Sequence, residues 1–251
     1  MIDIHTHLLP AIDDGAGSLA EALAMCRHAA AEGCEALVAT PHQRTDAWPN
    51  LDRPLLEARF AELQRAVGEE PRLFLGAEIR IDETLLADLE GPPERRPIPL
   101  AGSRYLLVEL QRSGANPDPE AVVQGLVAAG WRPIFAHPEF ISDLAEDVEL
   151  AGRLAAAGAY FQVTAMSVTG EFGATARRRV GEYLNAGLVH FVASDAHGRT
   201  WRPTGLGRAR EALAATWGEE TADRLTAANP RAVLEDRPLP RLRQPSARAR
   251  R

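Results

Sequence analysis

Cysteine is scarce in this sequence, since Cys26 and Cys34 are the two cysteines among its 251 residues. Two cysteines are too few for a disulfide-stapled scaffold, and they fit a protein of a reducing compartment. A phosphocysteine enzyme needs an arginine shortly after its cysteine, but Glu32 and Thr40 stand at those positions. We therefore predict that both thiols are buried apolar groups.

Long apolar runs are also missing: no run reaches the ~18 residues that a membrane-spanning helix needs. The chain starts directly on strand-like residues, without the basic and apolar regions of a secretory signal, so we expect a cytoplasmic protein. The formal net charge is −7. An acidic chain of this kind is a poor candidate for binding nucleic acid as its main partner.

Positive charge is concentrated at the end of the chain. Residues 237–251 contain six arginines, three prolines and no acid. This composition predicts a domain over residues 1–236 and a basic tail over 237–251, and it is typical of a solvated segment. The alternative is a tail that contacts an anionic membrane surface or an acidic protein.

Short apolar runs alternate with helical patterns almost from end to end, which predicts βαβ units and a parallel sheet in one α/β domain. About seven such units favour a closed or nearly closed barrel over a doubly wound sheet. The predicted strands are 2–4, 36–39, 73–75, 105–108, 133–135, 160–163 and 191–193.

The helical patterns lie near 18–31, 54–67, 82–89, 118–129, 144–157, 173–186, 205–216 and 219–227. Pro230 predicts that the last of them ends at Asn229. The proline-rich region 91–104 predicts an irregular crossover with one short edge strand.

Histidines and acids follow these strands at the points where each one ends. Because functional side chains of α/β barrels lie at the carboxyl ends of the strands, they are candidates for one site. Two pairs, His5 with His7 and Asp195 with His197, are spaced i, i+2, which puts both side chains on the same side of a strand. The candidates are His5, His7, His42, Glu78, Glu109, His137, Asp195 and His197.

Asp13 and Asp14 lie in the first strand–helix loop, where an acid can cap a turn or bind a metal; we favour Asp14 as a ligand. Mixed imidazole and carboxylate ligands suit Mn²⁺, Fe²⁺ or Zn²⁺. Nine ligands are too many for one ion and fit two or three, with Glu78 as the expected bridge. Such clusters serve phosphate-ester hydrolysis best, although an amide hydrolase can use similar ligands.

Arginines near these ligands are candidate phosphate clamps. For Arg202 we favour a phosphate clamp over a surface arginine, and we give less weight to a clamp function of Arg199 and of Arg44. Trp48 either forms an aromatic wall or packs its loop. His28 has no partner pattern, and we interpret it as a surface or core residue. His190 begins the strand that Asp195 follows, ~16 Å from the metal end, and we interpret it as structural.

With these residues assembled, the chain resembles the polymerase-and-histidinol-phosphatase (PHP) superfamily, and within it the bacterial capsule-associated protein-tyrosine phosphatases of the CpsB/YwqE type. The resemblance covers nearly all of residues 1–236. Its motifs include Met1-Ile-Asp-Ile-His-Thr-His7, Ile12-Asp-Asp-Gly15, Ala39-Thr-Pro-His42, Gly76-Ala-Glu-Ile-Arg80, Val108-Glu109, His137-Pro-Glu139, Gln162-Val163, Thr169-Gly-Glu-Phe-Gly173, Ala193-Ser-Asp-Ala-His197 and Asn229-Pro230.

The resemblance implies a distorted TIM-like (β/α)₇ barrel with three divalent metal ions, manganese being the commonest. One ion would be held by His5, His7, Glu78 and Asp195, a second by Glu78, Glu109 and His137, and a third by Asp14, His42 and His197. Arg202 would bind the substrate phosphate. The implied substrate is the phosphotyrosine tail of the tyrosine autokinase that controls capsule or exopolysaccharide assembly.

The chain departs from this family at two places. Phe140 and Ile141 stand where the family continues with Arg and Tyr, so one expected phosphate contact is missing. Ala165-Met166 stands where small residues are expected. Neither departure removes a metal ligand, so we predict a metal-dependent protein-tyrosine phosphatase. His42 or His197, if not fully committed to metal, would protonate the leaving phenolate. The rival hypotheses are a small-molecule phosphatase of the histidinol-phosphate type and a non-catalytic phosphotyrosine-binding module.

Overall fold

The computed structural model describes residues 1–112 and 116–239. That part of the chain forms nine strands, and every strand pairing is parallel. The strands are β1 (Ile2–Thr6), β2 (Ala36–Ala39), β3 (His42–Gln43), β4 (Arg72–Leu75), β5 (Glu78–Arg80), β6 (Tyr105–Glu109), β7 (Arg132–Ala136), β8 (Tyr160–Thr164) and β9 (Phe191–Ala193).

Helices connect these strands, as the alternating pattern predicts. They are α1 (Leu19–Ala31), α2 (Arg53–Val67), α3 (Leu85–Leu89), α4 (Pro119–Ala128), α5 (Ser142–Glu146), α6 (Val148–Ala157), α7 (Ala165–Thr169), α8 (Ala174–Asn185), α9 (Leu206–Trp217), α10 (Glu219–Asp223) and α11 (Asn229–Leu234). Short 3₁₀ turns cover Leu100–Gly102 and Pro138–Phe140, and a π-helical turn covers Arg224–Ala228. None of the described helices is long and apolar enough to cross a membrane.

The strands form two sheets, one in the order β1-β2-β4 and the other in the order β3-β5-β6-β7-β8-β9. A single bridge between Thr6 and Ala196 joins the end of β1 to the segment after β9. The described strands therefore form no closed sheet, and the closed barrel expected from the sequence is not confirmed.

Strands β2 and β4 of the first sheet each end at a short break, after which the chain continues as a strand of the second sheet. β2 and β4 pair in the first sheet, whereas their continuations β3 and β5 pair in the second. Proline at position 41 lies between β2 and β3, where a missing backbone N–H disfavours a continuous ladder. Gly76 lies between β4 and β5, and a Cβ there would come within 2.8 Å of the Leu100 side chain. All seven predicted runs are strands, and the breaks add β3 and β5.

Opposite faces of the strands pack into two apolar clusters, as the alternation of side chains along a strand requires. In β6, Leu106 and Val108 join the larger cluster, which contains side chains from most of the helices. The buried Cys26 and Cys34 belong to the same cluster. Tyr105 and Leu107 join the second cluster with residues of α11 and Leu239. The basic tail beyond Leu239 lies outside the described residues, so the boundary at 236 stays a prediction.

Three sequence predictions about the connections were wrong. The last helical segment does not end at Asn229, because Pro230 lies in the first turn of α11, where a missing N–H is tolerated. The helix predicted over 144–157 is divided at Asp147, whose side chain accepts the Leu150 N–H and caps α6. Region 91–104 contains a 3₁₀ turn and no strand.

Candidate metal centre

The carboxyl ends of the strands bring all nine predicted ligand residues into one cluster. β1 supplies His5 and leads into His7, and the short strands β3 and β5 begin with His42 and Glu78. The remaining residues lie at or just after the ends of later strands: Glu109, His137, Asp195 and His197. Asp14 comes from the loop between β1 and α1.

Glu78 lies at the centre of this cluster and is fully buried. Its Oε2 atom is 3.4 Å from His5 Nε2, 3.5 Å from His7 Nε2 and 3.0 Å from His42 Nδ1. Its Oε1 atom is 2.7 Å from His137 Nε2. One carboxylate therefore contacts four imidazoles that come from three strand ends, since His5 and His7 share the end of β1.

Asp195 and Asp14 lie on either side of this centre. Asp195 Oδ1 is 3.3 Å from His5 Nε2 and 3.4 Å from His7 Nε2. Asp14 Oδ1 is 3.4 Å from both His42 Nε2 and His197 Nε2. The Asp14 side chain keeps about a third of its surface exposed, at 34%, so this acid faces the open side of the cluster.

Three of the histidines are oriented by hydrogen bonds at their Nδ1 atoms. His5 Nδ1 lies 2.7 Å from Gln162 Oε1, His7 Nδ1 lies 2.9 Å from Asp13 Oδ2, and His197 Nδ1 lies 2.9 Å from the Asp195 carbonyl oxygen. Because each partner oxygen can only accept, each Nδ1 carries a proton, and each Nε2 is the atom that would present a lone pair to a metal ion. Buried partners that fix the ring in this way are typical of metal-ligating histidines.

Asp13 has a second function in this arrangement beyond orienting His7. Its Oδ2 atom also accepts the His42 backbone N–H, and its Oδ1 atom accepts the Gly15 N–H. Gly15 packs so closely that a Cβ there would lie 2.2 Å from the His7 carbonyl oxygen. Only glycine allows the acidic loop to reach the end of β1, which explains the Asp13-Asp14-Gly15 order.

The backbone is constrained at two of the candidate ligands. His137 has a φ of 35° and Asp195 a φ of 54°, both in the left-handed region that residues other than glycine seldom adopt. His137 directly follows the buried strand β7, and Asp195 lies two residues after the end of the buried strand β9. Such backbone strain is concentrated at functional sites, where the surrounding structure maintains it.

The electrostatics of the cluster follow from burial and from close opposite charges. Burial would raise the pKa of Glu78, but the charges of His5, His42 and His137 hold that pKa well below its ordinary value. Burial raises the pKa of Glu109, and the neighbouring Glu78 carboxylate adds to this increase. Burial would lower the pKa of His42, but Glu78 and Asp14 outweigh it and raise the pKa to about 10. The cluster therefore favours bound cations.

The donor atoms fit divalent metal ions. Three groups have ligand atoms that lie within 4.8 Å of one another: His7 with Asp14, His42 and His197; His5 with His7 and Asp195; and His42 with Glu78 and Glu109. Within the described parts of the chain, three buried atoms at the centre lack a hydrogen-bond partner: His42 Nδ1, Glu78 Oε2 and His137 Nδ1. Buried polar atoms of this kind are costly unless a further ligand satisfies them.

A cavity of about 310 Å³ opens onto the cluster. Arg202 lines it, donates to Asp195 through one Nη atom, and lies 3.4 Å from His197 Nε2 through the other. Sequence reasoning missed two further residues that line this cavity, Arg112 and Trp201. Arg112 follows Glu109 by three residues, so its place after β6 was the signal that could have identified it.

The other predicted residues have different positions. Arg44 is not a phosphate clamp, because its guanidinium donates to Asp82, Thr84 and Asp88. Arg199 is exposed and is not among the residues that line the cavity. Trp48 stacks on the His42 ring with centroids 5.2 Å apart, so it packs against a ligand candidate.

His28 and His190 lie away from the cluster, as the sequence predicts. His28 is on the exposed side of α1, 3.8 Å from Glu32. His190 is buried at the start of β9, where its Nδ1 accepts the Phe161 N–H. Burial lowers the pKa of His190 to about 4.

Comparison with known proteins places this chain in a family. A family model described as capsular polysaccharide synthesis, CpsB/CapC, matches residues 1–235. The tyrosine-protein phosphatase YwqE of Bacillus subtilis is 35% identical over 199 residues, covering 78% of this chain and 77% of YwqE. The tyrosine-protein phosphatase CpsB of Streptococcus pneumoniae is 28% identical over 244 residues, covering 94% of this chain and 99% of CpsB.

A solved structure of the same family also matches this chain. It comes from work on YwqE of Bacillus subtilis and CpsB of Streptococcus pneumoniae, described as metal-dependent tyrosine phosphatases, and superposes with a TM-score of 0.90 at 31% identity. The match covers 97% of this chain and 98% of that chain. The chain therefore belongs to the CpsB/CapC family of capsular polysaccharide synthesis.

Proposed function

We propose that this protein is a metal-dependent tyrosine-protein phosphatase. The observation that carries the proposal is the convergence of four histidines on the buried carboxylate of Glu78, flanked by Asp14 and Asp195. The family and the relatives named as tyrosine-protein phosphatases support the same activity. We also infer that the two sheets, whose interrupted strands run from one into the other, form one distorted (β/α)₇ barrel.

The nine clustered residues would hold three divalent ions, and manganese suits their mixture of imidazole and carboxylate ligands. Asp195 with His5 and His7 would form one site, and Glu78 would link it to a second. The third would lie near Asp14. The resemblance assigns His137 to the second site with Glu78 and Glu109, and His42 to the third with Asp14 and His197; the ligand atoms of His42 lie close to both groups of acids. His137 remains close to Glu78 and completes the set.

The metal ions would neutralise charge on the phosphoryl oxygens and lower the pKa of a bound water. The chain's own residues supply the remainder of the mechanism. Asp13 and Gln162 fix the tautomers of His7 and His5, so that lone pairs face the centre. Arg202 binds phosphoryl oxygens at the cavity wall. His42 or His197, whichever is not committed to metal, would return a proton to the leaving phenolate oxygen; the Nε2 atom of each is 3.4 Å from Asp14 Oδ1.

The substrate that fits the family is the phosphotyrosine tail of a bacterial tyrosine autokinase that controls capsule or exopolysaccharide assembly. The cavity supports an aromatic substrate because an aromatic side chain lines it: Trp201 is part of its wall and is 61% exposed. A cytoplasmic location would give the enzyme access to such a tail.

The test is a substrate panel on manganese-loaded protein, comparing phosphotyrosine peptides with phosphoserine peptides, histidinol phosphate and nucleotides. We expect phosphotyrosine peptides to have the highest kcat/KM. Turnover of histidinol phosphate alone would replace this proposal with a small-molecule phosphatase. Full metal occupancy without turnover of any substrate would indicate a phosphotyrosine-binding module.

A further inference from the structure

Two guanidinium groups flank one pair of phenylalanine rings beside the metal cavity. The Arg112 guanidinium carbon lies 5.2 Å from the centre of the Phe140 ring, and that of Arg202 lies 5.7 Å from the centre of the Phe172 ring. The two rings meet edge to face, with centroids 5.3 Å apart. Since both arginines line the same cavity, the aromatic pair spaces two cations along one wall.

The segment that carries Arg112 is held in place by its backbone. The Arg112 carbonyl oxygen accepts a hydrogen bond from Ser142 Oγ at 3.0 Å. Gln111 and Asn116 exchange two further hydrogen bonds, at 2.8 and 3.0 Å. Stacking on Phe140 orients the guanidinium without using its N–H groups, because a cation is attracted to the face of an aromatic ring.

Arg112 differs from the other arginines near the metal centre in its partners. Arg80 donates to Glu109, and Arg202 donates to Asp195. Across residues 1–112 and 116–239, no carboxylate forms an ion pair with the Arg112 guanidinium. A guanidinium with unused donors at the opening of a metal cavity matches the geometry of phosphate oxygens.

We propose that Arg112 is a second phosphate-binding residue of this site. Its guanidinium and that of Arg202 together bind the non-bridging oxygens of the substrate phosphoryl group, and Phe140 holds Arg112 in position. The inference rests on the proposed phosphatase function, which brings a phosphoryl group into the cavity. It also explains how the chain binds phosphate with phenylalanine at position 140.

The test compares Arg112→Gln with the unchanged protein, both loaded with manganese. We measure the affinity for inorganic phosphate by calorimetry and the KM for a phosphotyrosine peptide. Loss of one charged hydrogen-bonding group should lower the phosphate affinity and raise the KM, each by roughly 10- to 100-fold. Arg112→Lys keeps the charge but loses the planar fork, so its phosphate affinity should be intermediate. Arg27→Gln, an exposed change on α1, is the matched control and should alter neither quantity.

A rescue variant separates phosphate binding from a structural effect. Position 140 lies within reach of the Arg112 guanidinium, so Phe140→Arg added to Arg112→Gln should return an arginine to the same wall and recover phosphate affinity. A merely structural function of Arg112 would not be rescued in this way. Thermal unfolding of each variant checks that the fold is retained.

The possible results distinguish the inference from the proposed function. Unchanged phosphate affinity and KM in Arg112→Gln, with normal turnover by the unchanged protein, would overturn the inference and leave the function standing. Absence of turnover by the unchanged protein would overturn the function, and calorimetry would still decide the contribution of Arg112. Absence of both phosphate binding and turnover in the unchanged protein would overturn both.

Discussion

His7 and His190 are both buried, at opposite ends of the strands, and their surroundings are chemically opposite. His7 has Asp13 at 2.9 Å, Asp195 at 3.4 Å and Glu78 at 3.5 Å. His190 has the Phe161 N–H at 3.1 Å and the edge-to-face ring of Tyr160. The same side chain therefore lies among carboxylates at the carboxyl ends and among apolar and backbone groups at the amino ends.

The difference appears in the protonation of the two side chains. Burial would lower the pKa of His7, but its carboxylate neighbours raise that pKa well above the ordinary value. Burial lowers the pKa of His190 to about 4, with no carboxylate contribution to oppose it. Burial alone gives a neutral histidine that supports the fold, whereas clustered acids make a histidine part of a cation site.

The largest effect should come from removing two histidines of the acidic end. The double substitution His5→Ala with His7→Ala should lower kcat/KM for p-nitrophenyl phosphate at least roughly 1000-fold, about 4 kcal/mol of transition-state binding. It should also reduce the manganese content measured by atomic absorption. His28→Ala, on the exposed side of α1, is the control and should change neither. Unchanged activity in the double variant would contradict the metal mechanism.

A smaller effect should distinguish His190 by pH. Because burial holds its folded pKa at about 4, below the ordinary 6.5, the unfolded chain binds a proton first as the pH falls. The stability contributed by neutral His190 is therefore present above pH 6.5 and is lost progressively between 6.5 and 4, by about 3 kcal/mol.

Urea unfolding measures this loss. His190→Gln retains an acceptor for the Phe161 N–H but cannot titrate, so its free energy of unfolding should fall less steeply with acid than that of the unchanged protein. The difference in free energy of unfolding between the unchanged protein and His190→Gln should become smaller from pH 7 to pH 4.5. A difference that is constant over this range would show that His190 does not resist protonation in the fold.

The smallest effect should come from Asp13, which contacts His7 without lying in any of the three candidate ligand groups. Asp13→Asn removes the charge beside His7 and one of the two acceptors, so manganese affinity should fall roughly 10- to 100-fold. Asp46→Asn, an exposed change in the β3–α2 connection, is the matched control. Equal manganese affinity of the two variants in a metal titration would contradict the positioning function of Asp13.

Much of the fold could be predicted because strand and helix patterns are local. For example, the apolar run 105–108 and the apolar residues of the motif that ends at His197 each predict a strand by themselves. The break before His42 had a local signal in the proline at position 41, which was missed. The break before Glu78 could not be predicted, since it depends on the close packing of Gly76 against Leu100. The continuation of α11 past Asn229 was also missed, because a proline in the first turn is compatible with a helix.

The candidate site divides in the same way. His5 and His7 are recognisable as ligand candidates from the strand at whose end they lie. Whether an arginine is available to bind phosphate depends instead on which side chains it contacts in the fold. Arg44 was a reasonable candidate beside His42, but the acids at positions 82 and 88 bind it. Arg112 carried no motif, and its stacking on Phe140 is a contact between two separate segments.

The sequence by itself determined the types of ligand and their places at strand ends, because each histidine or acid follows a recognisable apolar run. Only the tertiary structure decided which of them share a partner and which arginines face the cavity. The physical reason is distance along the chain: His5 and Asp195 contact each other across most of its length. Contacts of that kind depend on strand pairing, backbone conformation and neighbouring charges that no local pattern contains.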